Sequence, residues 1–324
     1  MKAAVNLKYG PPAEVVHIEE VDKPTPMPNE ILIKVHASSV NRSDCGFVRA
    51  KPFVTRFFSG MFRPRNQILG CEFAGEVVEC GSNVDSFKLG DRVFGFDDSR
   101  WGGHGEFKVI DVKRMVAKIP DNISFDVAAV SSEGGHYALS YLWSMRIGKG
   151  DRVLIHGATG AIGSAAVQLF KQAGAYVVAT ADTNNVELVE KLRADRVIDR
   201  VTEDFTQCGE TFDVVFDSVG KSSFRDCKKL LVKRGLYVAT ELGKGGQNPL
   251  LAIVSPLFRL VGAKRVTFPL PKANHKVIEH LRDRLADGTF VPVIDRTYPL
   301  DRIVDAYAFV ETGQKVGNVL IAHE

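Results

Sequence analysis

The sequence predicts an α/β chain in which a β-rich region is joined to a doubly wound parallel sheet. Three observations carry this. Residues 1 to about 120 hold short β-branched runs punctuated by glycine and proline. From about Asp121 strands and helical patterns alternate. One segment, Asp151-Arg-Val-Leu-Ile-His-Gly-Ala-Thr-Gly-Ala-Ile-Gly163, passes from an apolar run through glycines into an amphipathic helix.

In the first region residues 1–5, 31–36, 75–79 and 90–96 read as strands, and Pro24, Pro26 and Pro28 mark a loop. Ser124 caps a helix through Ala128 and Ala129, and a second helix is expected over 136–142. Parallel strands are expected at 153–155, 177–180, 197–198, 213–216 and 236–240. Val277, Ile278, Leu281 and Leu285 set a helix over 276–286, and 317–321 reads as a closing strand. Residues 250–261 are apolar, but Pro256 and Arg259 interrupt them, so they read as a core or subunit-contact helix, too short to span a bilayer.

A length of 324 residues suits two domains better than one. The formal net charge of +3 is too small to imply nucleic acid by itself. Five scattered cysteines (Cys45, Cys71, Cys80, Cys208 and Cys227) argue against a disulfide framework and for a reducing compartment. No signal-peptide apolar core follows Met1. A cytoplasmic location with no membrane partner is therefore expected.

The glycine-rich turn carries the chemistry. Gly157, Ala158, Thr159, Gly160, Ala161, Ile162 and Gly163 let backbone approach a pyrophosphate, and the helix start offers free N–H donors and a positive dipole end. Ala165, Ala166, Leu169, Phe170 and Ala173 give the helix its apolar face, and Gly174 ends it. The next strand closes in Asp182, 182 − 163 = 19 residues past the last glycine. An acid about 20 residues on grips the adenosine ribose hydroxyls. The spacing is GxxGxxG rather than GxGxxG, yet strand, helix and acid together predict a dinucleotide.

With these motifs in place the chain resembles a medium-chain dehydrogenase/reductase, and most closely the zinc-free quinone oxidoreductase (zeta-crystallin-like) branch. The residues that carry the resemblance are Met1-Lys-Ala-Ala, Tyr9-Gly-Pro-Pro, Asn41-Arg-Ser-Asp44, Gly70-Cys-Glu-Phe-Ala-Gly75, Gly90-Asp-Arg-Val93, the turn from Gly157 to Gly163, and Gly317-Asn-Val-Leu-Ile with Asn318 where lysine is common. The resemblance implies a GroES-like β-rich substrate domain over 1–122 and 266–324. The resemblance also implies that these two segments enclose an inserted Rossmann domain over 123–265, with hydride transfer in the cleft between the domains and a homodimer joined through the Rossmann sheet edge.

Zinc-dependent relatives hold their metal with cysteine, histidine and a second cysteine. Here Asn41 takes the first place, Cys71 replaces the histidine, Glu72 follows it, and no cysteine lies in the region after Ala128. Residues 85–115 carry no cysteine for a structural zinc lobe. Cys71 and Glu72 with His136 make at most a makeshift site, and Cys71 reads instead as a small buried hydrophobe. The expectation is an enzyme without zinc, acting on acceptors that need no strong Lewis acid: quinones, or alkenes conjugated to a carbonyl. Two alternatives stand beside it: an alcohol/ketone dehydrogenase with a degenerate metal site and an aldehyde or ketone substrate, and a cofactor-binding protein with little catalysis.

Members of this branch often carry a serine and a basic residue for the NADPH 2′-phosphate. Asp182 and Asn184 stand in those places, so NAD(P)H is expected with NADH preferred, because a carboxylate binds ribose hydroxyls and repels phosphate. Glu133, His136 and Tyr137 are candidate proton donors, with helix bracing and core packing as the alternative. Asn41 and Asp44 are placed by the resemblance near nicotinamide or substrate, and both also suit turn-making. Ser218 and Val219 follow the fourth parallel strand. Thr183, Thr240, Leu242, Thr267, Phe268 and Asn318 complete the candidate cofactor contacts. Last, Arg49, Lys51, Arg56, Arg63 and Arg65 interleave with Phe53, Phe57, Phe58 and Phe62, with no acid between. A substrate lid and an ordinary loop with core phenylalanines rank equal there, ahead of nucleic-acid contact.

Overall fold

The computed structural model describes residues 1–243, 246–255 and 263–323. They divide into two compact units, Met1–His136 with Ala273–Glu324, and Tyr137–Lys272.

The first unit opens with β1 (Lys2–Asn6), a one-turn helix α1 (Pro12–Val15) and β2 (Val16–Glu20), which pairs antiparallel with β1. Then come β3 (Glu30–Val40), α2 (Arg42–Arg49), α3 (Arg56–Ser59), β4 (Glu72–Cys80), β5 (Arg92–Phe96), β6 (Phe107–Asp111), β7 (Met115–Lys118) and α4 (Phe125–Ala129). Ser124 caps α4, its Oγ accepting the Val127 N–H at 3.3 Å. Helix α5 (Ser132–Met145) carries the chain into the second unit.

That unit runs β8 (Arg152–His156), α6 (Ala161–Gln172), β9 (Tyr176–Ala181), α7 (Val186–Lys191), β10 (Arg196–Asp199), β11 (Phe212–Asp217), α8 (Phe224–Cys227), β12 (Leu231–Ala239), α9 (Gln247–Val254) and β13 (Arg265–Thr267). The first unit resumes with α10 (His275–Ala286), β14 (Ile294–Pro299), α11 (Ile303–Glu311) and β15 (Asn318–Ala322).

In the second unit six parallel strands stand in the order β10-β9-β8-β11-β12-β13. The order turns back between β8 and β11, and ligands of such sheets bind outside the strand C-termini at that switch point. Buried on both faces, these strands are near-continuous apolar runs: Leu154, Val178, Ile198, Val215 and Tyr237 form one core. The first unit's sheet runs β14-β15-β3-β4-β5-β7, with β6 also on β3. Its alternating Ile31, Ile33 and Val35 pack with Phe73, Val77, Val93 and Val116. The closing strand β15 inserts between β14 and β3, pairing Val319 with Val40.

Helix α9 covers the start of the apolar stretch, and it turns Leu250 and Ile253 outward, 63% and 75% exposed. Residues 256–261 of that stretch lie outside the described residues. No helix among the described residues is long and apolar enough to cross a membrane.

Candidate functional site

Two groups of residues stand out, one in each unit. In the second, β8 ends at His156 and the chain turns at Gly157, whose φ of +88° suits glycine. A Cβ at Gly163 would sit 2.1 Å from the Gly157 carbonyl oxygen and 2.8 Å from Ser218 Oγ. At Gly160, by contrast, a Cβ would meet nothing nearer than that same oxygen at 3.7 Å. Gly160 is the N-cap of α6 and no side chain caps the helix, so its first-turn N–H groups face an open cradle. These features fit a dinucleotide pyrophosphate.

The turn is braced from both neighbouring strands. Thr180 Oγ1 accepts from the Gly157 N–H at 3.2 Å and lies 2.9 Å from His156 Nδ1. Ser218 Oγ donates to the His156 and Gly157 carbonyls at 2.9 and 3.1 Å. Asp217, fully buried, accepts from the N–H groups of Val219, Gly220 and Ser222 and so shapes the loop after β11. Ala158 is buried against this frame, while Thr159, Ala161 and Ile162 are partly exposed. Thr240 N–H donates to the Asp217 carbonyl at 3.1 Å, the Leu242 carbonyl accepts from Asn248 at 3.0 Å, and Phe268 follows β13, half-buried. Asp182 directly follows β9, and Thr183 comes next, its hydroxyl donating to Asp199 at 2.7 Å. Asp182 Oδ1 lies 2.5 Å from Arg200 Nη2, and Arg200 N–H donates to the Ala181 carbonyl. A cation therefore stands beside the expected ribose acid.

In the first unit a polar knot surrounds Glu72, which is buried. Its Oε1 accepts from Ser132 Oγ at 3.0 Å and from the Glu133 N–H at 2.5 Å. Its Oε2 accepts from Ser39 Oγ and from Asn41 Nδ2, the latter at 3.1 Å. Asn41 Nδ2 also reaches Ser39 Oγ and Asn318 Oδ1, each at 3.2 Å, and Asn41 Oδ1 accepts from the Lys315 ammonium at 3.0 Å. Lys315 donates as well to the Gly317 carbonyl. Asn318 Nδ2 holds the Val293 carbonyl at 3.0 Å. Asp44 Oδ2 accepts the Asn41 N–H at 2.8 Å, fixing the start of α2. Glu133 takes the Ser43 hydroxyl on Oε1, and its Oε2 has no hydrogen-bond partner among the described residues.

Burial, then the charge of Glu133, pushes Glu72 up to about 7. Burial raises Glu133 too, against the pull of Ser43 and Lys315, and it raises Asp44 strongly, with Glu133 adding to it. Lys315 is held below the usual lysine range by burial, against the attraction of Glu133 and Glu72. His136 is buried beside the Phe96 ring, centroids 4.6 Å apart, and burial pushes it down to about 3, so it is a neutral imidazole near pH 7. Tyr137 begins the second unit and packs near Tyr141.

The candidates thus fall into two sets. The turn, Asp182, Ser218 and Val219 share one unit, and Asn41, Asp44, Glu133, His136 and Asn318 the other. Sequence reasoning missed Lys315, although the closing motif lacks its common lysine at 318 and carries one three residues earlier. It missed Arg200 because the partner of Asp182 comes from the end of the next strand. The phenylalanines of the basic segment are not core: Phe53, Phe57, Phe58 and Phe62 are exposed.

The residues in the metal-ligand places do not fit zinc. Asn41 is fully engaged in hydrogen bonds, Glu72 takes four donors, and burial holds the Cys71 thiol protonated well above its ordinary range. Among the described residues no group of three His, Cys, Asp or Glu could hold a metal ion.

Comparison with known proteins agrees with this architecture. Residues 27–121 match the model of the alcohol dehydrogenase GroES-like domain, and 192–321 that of a zinc-binding dehydrogenase. The chain is 32% identical to 2-methylene-furan-3-one reductase of Solanum lycopersicum, over 99% of this chain and 79% of that one. It is 30% identical to the chloroplastic NADPH-dependent alkenal/one oxidoreductase of Arabidopsis thaliana, with the same coverage. The quinone oxidoreductase of Coxiella burnetii superposes with a TM-score of 0.87 at 28% identity, covering 99% of both chains.

Proposed function

The chain belongs to the medium-chain dehydrogenase/reductase superfamily, in its quinone oxidoreductase branch, and on that premise we propose that it transfers hydride from NAD(P)H to a quinone or an α,β-unsaturated carbonyl without zinc. The observation that carries the reading is an open glycine turn in one unit together with a polar knot in the other whose cation is the Lys315 ammonium. The dinucleotide falls to the second unit, the substrate to the first.

NAD(P)H, when bound, supplies the hydride. The turn from Gly157 to Gly163 holds the pyrophosphate with backbone N–H groups. Ser218, Val219, Thr240, Leu242 and Phe268 follow strand ends on the side where the nicotinamide half is bound. In an enone the hydride adds to the β-carbon, the C=C pair shifts toward the carbonyl oxygen, and that oxygen needs a proton. Lys315 gives an N–H to the developing oxyanion and is recharged through Glu133, whose unpartnered Oε2 carries the proton that burial favours. Asn41, Asp44 and Asn318 act as positioning residues, orienting Lys315 and the head of α2. His136 braces, since a neutral imidazole pushed so low has no second proton to give near pH 7.

This assignment has a direct check. Lys315→Met is expected to lower kcat by about a hundredfold with cofactor KM unchanged. Lysine as donor also predicts that kcat falls as pH rises through a value below the usual lysine range. That alkaline limb should vanish in Lys315→Met. An unchanged limb would remove Lys315 from the mechanism.

For the cofactor we propose NADH preferred, with NADPH usable because Arg200 already stands beside Asp182. Arg200→Ala is expected to raise the NADPH KM about tenfold and leave that for NADH little changed. A parent KM for NADPH at or below that for NADH would overturn the preference.

A homodimer is supported by outward Leu250 and Ile253 on α9 beside the edge strand β13, and sedimentation would test it. Five unpaired cysteines support a reducing compartment such as the cytoplasm. The reading as a whole is tested by following nicotinamide absorbance with NADH and NADPH against a quinone, an enone and a simple ketone. Turnover of the ketone alone would overturn it.

A further inference from the structure

The segment after α2 bears a surface that hydride transfer does not use. Between Asp44 and Glu72 there is no acidic residue. The loop is nevertheless built rather than slack. Tyr9 OH donates to the Gly60 carbonyl at 2.7 Å and lies 2.8 Å from Ser59 Oγ. The Arg65 N–H closes the loop on the Ser59 carbonyl at 2.8 Å. Gly60 takes a φ of +123°, and a Cβ there would strike the Arg63 carbonyl at 2.1 Å. Arg56 lies over the Tyr9 and Phe53 rings, 4.9 and 5.5 Å from their centroids.

The result is a fixed tip that holds aromatic rings in solvent. Phe58 is 76% exposed and Phe62, at the apex, 91%. Phe57 and Met61 are exposed beside them. Lys51, Arg63 and Arg65 are exposed too, and none has an ion-pair partner among the described residues. A monomer in water gains nothing from such a tip, since rings and cations both favour an environment that is apolar inside and anionic at its edge.

We propose that the tip from Phe57 to Arg65 docks the protein on an anionic lipid surface. Phe58 and Phe62 enter the interface, and Arg63 and Arg65 meet the headgroup phosphates. Charge complementarity decides for lipid over a second copy of this chain, because two copies would bring their unpaired cations together. That no helix among the described residues is long and apolar enough to cross a membrane does not bear on a contact of this kind. A protein so docked would meet apolar quinones where they dissolve. The docking itself stands whether or not the chain reduces them.

The test is co-sedimentation of the full chain with vesicles of phosphatidylcholine alone or mixed equally with phosphatidylglycerol. Binding is expected to the mixed vesicles only, and to weaken with added salt. Arg63→Gln with Arg65→Gln should weaken it about thirtyfold. Phe58→Ala with Phe62→Ala should weaken it about tenfold or more. All four residues are exposed, so melting temperatures should match the parent. No binding to mixed vesicles, or binding unchanged in both pairs, would overturn the proposal. So would phenylalanine variants that only raise KM for a water-soluble quinone, which would make the tip a substrate lid, or that only abolish self-association. Turnover of that soluble quinone without vesicles reports separately on the hydride-transfer reading.

Discussion

A Gly163→Val chain is expected to lose dinucleotide binding, by about a hundredfold or more, and to melt below the parent. The Cβ of any residue here would lie 2.1 Å from the Gly157 carbonyl oxygen, the nearest atom, which is backbone and cannot swing away. Gly157 is itself tied on both sides, its N–H donating to Thr180 Oγ1 and its carbonyl accepting from Ser218 Oγ. Overpacking of this kind costs about 1–3 kcal/mol, and any relief must open the turn that cradles the phosphates. Gly160→Ala separates the two effects. Its Cβ has room, so the chain should keep its melting temperature, yet the methyl group points where the pyrophosphate must approach. Fluorescence titration with NADH beside thermal melts of all three chains measures this. Parent-like affinity in Gly163→Val would mean that the turn is not the cofactor site.

The second large effect is at Glu72. Glu72→Ala leaves Ser39, Asn41, Ser132 and the Glu133 N–H without their acceptor in a buried place, and is expected to cost about 3–5 kcal/mol. Glu72→Gln tests the electrostatics more finely. The folded chain keeps this proton up to about pH 7, whereas an unfolded carboxyl releases it near 4.5. The folded state therefore binds more protons in that window, and the contribution of Glu72 to stability declines as pH rises through it, by about 3 kcal/mol. The whole-protein curve will not display this simply. His104, His136 and His323, pushed down by burial to about 4, 3 and 3, act in the opposite sense as they shed their unfolded-state protons. The difference between parent and Glu72→Gln cancels the histidines. Denaturant melts of both chains from pH 4 to 8 should show the parent losing ground to the variant, and a flat difference would mean that Glu72 titrates in the folded chain as it does in the unfolded one.

Much of this molecule is written in periodicity. The alternation of Ile31, Ile33 and Val35 fixes β3, and the apolar runs fix the parallel strands, because a strand with one or two buried faces must repeat apolar residues at set intervals. Boundaries were less legible. β3 extends to Val40 through Ser38 and Ser39, polar residues that are buried because their hydroxyls serve His323 and Glu72. β12 starts at Leu231, ahead of the expected 236, and carries Arg234 at positive φ within it. The glycine turn was legible because its constraint is local. Lys315 and Arg200 were not, since each matters through a partner far away in sequence, Asn41 for one and Asp182 for the other. Nor does residue type tell why Phe62 faces water while Phe73 is core.

The insertion of β15 between β14 and β3 has a consequence for synthesis. While Glu30–Val40 emerges from the ribosome, its antiparallel neighbour Asn318–Ala322 does not yet exist. The first sheet must wait with an open edge through translation of the whole parallel-sheet unit, whose own strands all lie within Tyr137–Lys272. The nucleotide-binding fold is thus free to form on the nascent chain, whereas the substrate fold closes only once Asn318–Ala322 has been made. During that interval the β-rich segment is the part most exposed to aggregation and to chaperones.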